Sequence, residues 1–424
     1  LTVAPLCEGC NVVLVSLDTL RADHLGCYGY ERPTSPRIDA FASESFLFAD
    51  AVSQSAWTRP AHASMLTGLH PREHGIVTML KTAVLSADAS TLPARLSAAG
   101  YRTAAFTGGA NMAAEFGFDN GFDVYRSPGR RIENHLPHIR KWLGRIGDDP
   151  FFLMVHGFDP HRPYKSEPVD RRALGLGPVP ARGINRACTE TKSKAQMAPF
   201  VAEYDAAVHR GDRGFGALLD LLRERGLYER TVVVLTSDHG EEFLEHGRCF
   251  HIRTLYREVV RVPLIVRVPG AEPARIAGVV PASVAIAPTV LELVGARGRS
   301  FPGPSLLPAM VAGAASFPFV VSETGSRVGP QGYGRVRAIT SDTEKLVHWI
   351  DQDRVEYYDL QADPFETIPA AGGPRADAMM ARLQRWESTH ARRLHATNAR
   401  AVPEHVQRAL KALGYVTEEG GESP

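Results

Sequence analysis

The sequence has no surplus of charge of either sign, with 48 Lys and Arg against 47 Asp and Glu and a net charge of +1. Proteins that bind nucleic acid or an anionic membrane surface concentrate positive charge, so this balance leaves no electrostatic case for either partner. No uninterrupted apolar run approaches the roughly 20 residues that cross a bilayer, so no membrane span is expected. There are only five cysteines. Cys7 and Cys10 form a lone CxxC with no second pair to complete a zinc site. Cys27, in a Gly-Cys-Tyr-Gly stretch, reads as a small buried filler, while Cys188 and Cys249 are available to pair in an oxidising compartment. Internal repeats are absent, which excludes a solenoid or propeller.

At 424 residues with 44% hydrophobic content, the chain suffices for one large domain and a smaller one. Three short apolar runs read as buried parallel strands, and each delivers ionisable residues at its C-terminal end, where open α/β sheets place their ligands. Asn11–Leu17 is followed by Asp18. Phe151–Val155 leads into His156, Asp159 and His161, and Thr231–Leu235 into Asp238 and His239. A lone Asp after a strand is usually a helix cap, and a lone loop His is usually structural.

The stretch Ser55–Gly75 is the centre of the pattern. Thr58 stands before Pro60 and a short helical run that ends at Gly68. Proline fits the first helical turn, where a missing N–H costs nothing. A helix N-terminus favours an anion, so Thr58 sits where a nucleophile for a phosphate or sulfate ester belongs.

These residues resemble the sulfatase family of the alkaline phosphatase superfamily. The family carries Cys-x-Pro-Ser-Arg, three residues, then Leu-Thr-Gly. Counting back from Leu66-Thr67-Gly68 puts Thr58 at the Cys or Ser position, with Pro60 kept, Ala61 for Ser and His62 for Arg. The segment SLDTLRADHLGCYGY resembles the opening metal motif, Asp18 matching its first Asp and Thr19 replacing the second. Asp238-His239 matches the later ligand pair, and His161 the second His of a His-x-Pro-His-x-Pro segment. Where the family shows Gly-Lys-Trp-His, this chain has Gly108, Gly109, Ala110 and Asn111. YYDLQADPFE also resembles endings seen in the family, so the likeness covers most of the chain.

The resemblance implies an α/β fold, a large central mixed, mostly parallel sheet sandwiched by helices, with a smaller C-terminal antiparallel sheet plus helix. We expect a catalytic domain over 1–325 and a C-terminal subdomain over 326–424, with a disordered tail from Glu418. The second sheet is expected from Arg335–Thr340, Glu344–Ile350 and Glu356–Leu360, residues 165–200 as a surface insertion, Tyr204–Arg225 as a long helix, and a further helix near 373–395.

Asp18, Asp238, His239 and the Thr58 oxygen form the expected site for one divalent metal. An imidazole in the set suits Zn²⁺ or Mn²⁺ better than Ca²⁺. Asp159, His161 and His251 are the expected ligands of a second. In sulfatases the Cys or Ser becomes formylglycine, whose second hydroxyl expels sulfate. Threonine cannot become that aldehyde, so no formylglycine is expected. A phosphothreonine is instead open to attack at phosphorus. The expected activity is hydrolysis of phosphodiesters or phosphonate monoesters, small anionic esters, through Thr58. His161, His251 and His62 would assist, and Asn111 and His156 would contact substrate. The alternatives are a sulfatase without formylglycine, a phosphoryl-group transferase to a lipid or glycan, and an inactive anion-binding module. The opening at Leu1 rather than Met, with the family's frequent export, suggests a periplasmic or secreted protein, and a cytoplasmic one is the alternative.

Overall fold

The computed structural model describes residues 6–78, 84–177, 194–296, 301–329, 332–394 and 402–413. The sheet that organises them contains β1 (Asn11–Leu17), β2 (Phe46–Val52), β3 (Arg102–Phe106), β4 (Val124–Arg126), β5 (Phe151–Gly157) and β6 (Thr231–Thr236). After a two-stranded hairpin, β7 (Glu242–Phe243) with β8 (Cys249–Phe250), the chain returns as β9 (Arg261–Val262), β10 (Leu264–Arg267) and β11 (Ala274–Pro281). The order across this nine-stranded sheet is β11-β2-β10-β6-β1-β5-β3-β4, with β9 paired to β2. The central strands run parallel, and β10 is antiparallel to both its neighbours. This is the expected mixed, mostly parallel sheet.

Alternation explains why the apolar runs are continuous. Val12, Leu14, Phe152, Met154, Val232 and Val234 belong to one core cluster. Val13, Val15, Leu153, Val155, Val233 and Leu235 belong to another, on the opposite face. Both faces are covered, so both sets of side chains must be apolar. Helices Thr58–Thr67 and Ser283–Leu293 contribute to the first core, and Pro36–Ser43, Ile132–Leu143 and Lys194–Glu224 to the second. The 31-residue helix Lys194–Glu224 begins earlier than the expected Tyr204.

A four-stranded antiparallel sheet follows, β12 (Val320–Gly329), β13 (Gly332–Thr340), β14 (Glu344–Trp349) and β15 (Arg354–Asp359) in sequential order. Val336, Ala338, Val347, Trp349 and Tyr358 pack with Leu255 and Tyr256 of the catalytic part. Val321, Ile339, Leu346 and Tyr357 pack on helix Pro374–Thr389. Because β12 starts at Val320, the second sheet begins ahead of the expected boundary at 326. Residues 178–193, the middle of the expected insertion, and the tail from Glu418 lie outside the described residues.

Candidate active site

Strand register brings the expected residues together. Ser16 in β1 lies level with His156 in β5 and Thr236 in β6, so the chain leaves all three strands at one edge. Asp18, His156, Asp238 and His239 are consequently neighbours, each fully buried. Thr58 opens its helix beside them, and Gly68 at φ 65° closes that helix in the left-handed conformation that glycine adopts freely. The Thr58 hydroxyl donates to Asp18 Oδ2 at 3.3 Å.

The site contains a vacancy in its hydrogen bonding that a cation fits. Asp18 Oδ1, Asp238 Oδ2 and His239 Nε2 are buried without a hydrogen-bond partner. His239 Nε2 lies 3.8 Å from Asp18 Oδ1 and 3.3 Å from Asp238 Oδ2. His239 Nδ1 donates to the Gly240 carbonyl at 3.0 Å, which leaves Nε2 as a lone pair directed at the two carboxylates. That is the usual arrangement of a metal-ligating histidine. Burial, and then the neighbouring Asp238, pushes the Asp18 carboxyl well above its ordinary range. Burial also acts upward on Asp238, but His239, His62 and His156 outweigh it and hold that group at about 2. Two buried carboxylates this close need a proton or a cation between them, and the donor set matches a divalent metal.

The remaining expected residues divide. His156 accepts the Gly108 N–H on Nδ1 and therefore donates from Nε2 to Asp18 Oδ2 at 3.3 Å, facing a ligand as well as the expected substrate space. His161 Nδ1 is engaged by the Arg162 carbonyl, and its Nε2 stands 4.0 Å from Asp18 Oδ1. The rings of His161 and His251 are 5.2 Å apart, and those of His239 and His251 4.4 Å. His251 Nδ1 donates to Glu241 Oε1 at 2.9 Å, and Tyr164 donates to Glu241 Oε2 at 2.9 Å.

Two expectations need correction. Asp159 does not join His161 and His251 in a second metal set. Its Oδ2 accepts the Ile132 N–H at 3.1 Å, while its Oδ1, without a hydrogen-bond partner, lies 3.6 Å from Arg210 Nε, and the carboxylate does not group with the two histidines. His62 does not present a free nitrogen to a leaving group. Nδ1 donates to the Thr58 carbonyl at 2.9 Å and Nε2 accepts from Ser16 Oγ at 3.0 Å, so the ring props the Thr58 backbone.

Asn111 is buried, and its Oδ1 accepts from Arg59 Nε at 3.0 Å while its Nδ2 has no hydrogen-bond partner. The Arg59 guanidinium lies 3.6 Å over the Phe116 ring. Arg59 was not singled out from the sequence. A buried guanidinium next to the Thr58 hydroxyl is suited to an anionic ester, and its position between Thr58 and Pro60 was the available signal.

The fold, the buried threonine at a helix start and the two-carboxylate, one-imidazole set match the alkaline phosphatase superfamily class. The sulfatase family model matches residues 10–296, and the chain belongs to that family. A second model, N-sulphoglucosamine sulphohydrolase C-terminal, matches residues 244–391. An endo-4-O-sulfatase of Bacteroides thetaiotaomicron is 26% identical over 415 residues, covering 81% of this chain and 79% of the relative. Human N-sulphoglucosamine sulphohydrolase is 30% identical over 325 residues, covering 68% and 63%. Among solved structures, one in complex with its substrate D-glucosamine-2-N,6-O-disulfate gives a TM-score of 0.77 at 22% identity over 90% of this chain and 98% of that one. The phosphonate monoester hydrolase of Agrobacterium radiobacter gives 0.70 at 19% identity over 98% and 99%. Metal dependence is a property of this family, and among the described residues no helix is long and apolar enough to cross a membrane.

Proposed function

We propose that this protein is a metal-dependent hydrolase that cleaves phosphodiesters or phosphonate monoesters through a covalent phosphothreonine on Thr58. The carrying observation is the Thr58 hydroxyl at the start of its helix, hydrogen-bonded to Asp18 Oδ2. Asp18, Asp238 and His239 would hold the ion, with the Thr58 oxygen at its side. When bound, a divalent ion such as Zn²⁺ or Mn²⁺ supplies Lewis-acid stabilisation of the attacking and leaving oxygens.

The residues of this chain do the rest. Asp18 Oδ2 accepts the Thr58 proton as Oγ1 forms its bond to phosphorus and the ester oxygen departs. The departing oxygen takes its proton from solvent, and His161 or His251, whose Nδ1 atoms donate to the Arg162 carbonyl and to Glu241 and leave Nε2 as an acceptor, would take a proton from the water of the second step. Water then attacks phosphorus and releases Thr58 with its original oxygen. Arg59 and the unpaired Asn111 amide would bind the non-bridging oxygens. The absence of a second hydroxyl on threonine is what favours phosphorus, because a sulfated threonine cannot collapse by C–O cleavage.

A second reading, a sulfuric ester hydrolase acting without formylglycine, draws support from the sulfatase names of the curated relatives. The ratio of kcat/KM for bis-p-nitrophenyl phosphate to that for p-nitrophenyl sulfate, on Zn²⁺- or Mn²⁺-loaded protein, separates the two. A ratio far above one is expected, and a ratio below one would reverse the assignment. We infer residence in an oxidising compartment, periplasmic or extracellular, since Cys7 and Cys10 form a disulfide and Cys249 is also disulfide-bonded. Thiol titration of protein from the native compartment tests this, and five free thiols would contradict it.

A further inference from the structure

Away from Thr58, a second group of ligating side chains takes no part in the reaction described above. Glu242 lies in β7, His246 in the turn that follows, and Glu258 in the short helix Arg257–Val260. One ligating atom from each lies within 4.8 Å of the others. Glu242 is 1% exposed, and its Oε1 has no hydrogen-bond partner. The fully buried Thr254 hydroxyl stands next to the Glu242 carboxyl.

The histidine is set as a ligand would be. His246 Nε2 donates to the Glu366 carbonyl at 2.7 Å, while Nδ1 faces Glu258 Oε1 at 2.6 Å. Its ring stacks on Tyr256 with centroids 3.7 Å apart, which fixes the imidazole plane. A ring anchored through one nitrogen to a backbone carbonyl, with the other directed at carboxylates, is the common setting of a metal ligand. Glu258 also borders a cavity of about 270 Å³ lined by Asp23 and Glu245 and by Arg21, Arg257 and Arg261.

We propose that Glu242, His246 and Glu258 bind a divalent cation of the Zn²⁺ class in a structural site distinct from the reaction centre, with Thr254 Oγ1 beside it. Two carboxylates and an imidazole match Zn²⁺ or Mn²⁺ chemistry, and the pair of buried carboxylates supplies the need for positive charge. On binding, the Nδ1 proton that His246 shares with Glu258 passes to solvent. The site would tie the segment after β6 to Glu366, which itself pairs with Lys345 of β14 at 2.8 Å. A cation here therefore braces the large sheet against the small one. The proposal is independent of the chemistry assigned to Thr58.

The test uses the full chain, stripped with a chelator, reloaded with Zn²⁺ and analysed for metal per chain. Wild type is expected to hold about two equivalents, Glu242→Gln one, and the double variant Asp238→Asn/Glu242→Gln none. Glu242→Gln keeps the shape of the side chain and removes a buried charge, so the fold survives. As a second readout, Zn²⁺ should raise the Tm of Asp238→Asn and leave that of the double variant unchanged. Equal Zn²⁺ content in wild type and Glu242→Gln, or equal Tm responses in the two Asp238→Asn proteins, would overturn the proposal.

Discussion

Thr58 Oγ1 donates to Asp18 Oδ2 across 3.3 Å, joining the first residue of a buried helix to the residue that follows the first strand. The bond holds the hydroxyl at the edge of the two-carboxylate site and supplies an acceptor for its proton. Thr58→Ala should lower kcat by about 10³-fold or more with Tm nearly unchanged, since the loss falls on bond formation. Thr58→Ser should stay within about tenfold of wild type. Steady-state kinetics on metal-loaded protein checks both. Alanine activity close to that of wild type would remove Thr58 from the chemistry.

Arg59 depends on Asn111 for its placement. Deleting the amide leaves Arg59 Nε without its 3.0 Å acceptor and removes a donor otherwise free for substrate. Asn111→Ala should therefore raise KM about tenfold while kcat changes less, a loss of about 1.4 kcal/mol in substrate binding. An unchanged KM with a lowered Tm would assign Asn111 to folding alone.

His74 is built to stay neutral. Nδ1 accepts the Ile76 N–H at 3.2 Å and Nε2 donates to Ser64 Oγ at 3.2 Å. Burial holds the group down at about 3 from its ordinary 6.5. The unfolded chain takes up this proton below pH 6.5 and the folded chain does not until about pH 3. The contribution to stability is thus complete above pH 6.5 and shrinks as pH falls, by about 1.4 kcal/mol per pH unit. His74→Gln should flatten the fall in unfolding free energy between pH 6 and pH 4, measured by urea titration. Parallel slopes for the two proteins would show that His74 is not its source.

Thr19 carries backbone strain beside the metal site. Its φ is 63°, where a β-branched residue is unfavourable, and its hydroxyl has no partner. The conformation is enforced by two bonds, the Thr19 N–H to Asp238 Oδ1 at 3.3 Å and the Tyr204 hydroxyl to the Thr19 carbonyl at 2.7 Å. Thr19→Asn should relieve about 1 kcal/mol and raise the Tm of the metal-loaded protein by roughly 2 °C. A lowered Tm would mean that the threonine methyl packs better than it strains.

The candidate ligand residues were legible because buried parallel strands advertise themselves as Val-rich runs, and whatever follows such a strand lies at the sheet's functional edge. That rule places Asp18, Asp238 and His239 there, and the likeness to the sulfatase motifs is what marks them as candidate ligands. Asp159 shows its limit. It stands three residues beyond His156 in the same loop, yet its carboxylate meets Ile132 and Arg210. Spacing along a loop does not determine which side of the sheet a side chain takes. His62 fails for a related reason, because one helical turn separates it from Thr58 and so directs its ring back at that residue's carbonyl.

By itself the sequence determined the sheet, the place of Thr58 at a helix start and the strand-end positions of Asp18, Asp238 and His239, since these depend on local periodicity and on motifs a few residues long. Tertiary structure alone decided which polar atoms are left without partners. The unpaired oxygens of Asp18 and Asp238, the lone pair of His239 and the Glu242–His246–Glu258 group arise from strands and loops distant in sequence. A hydrogen-bond deficit exists only once water has been excluded from both sides of a group, and burial of that kind is a property of the packed chain.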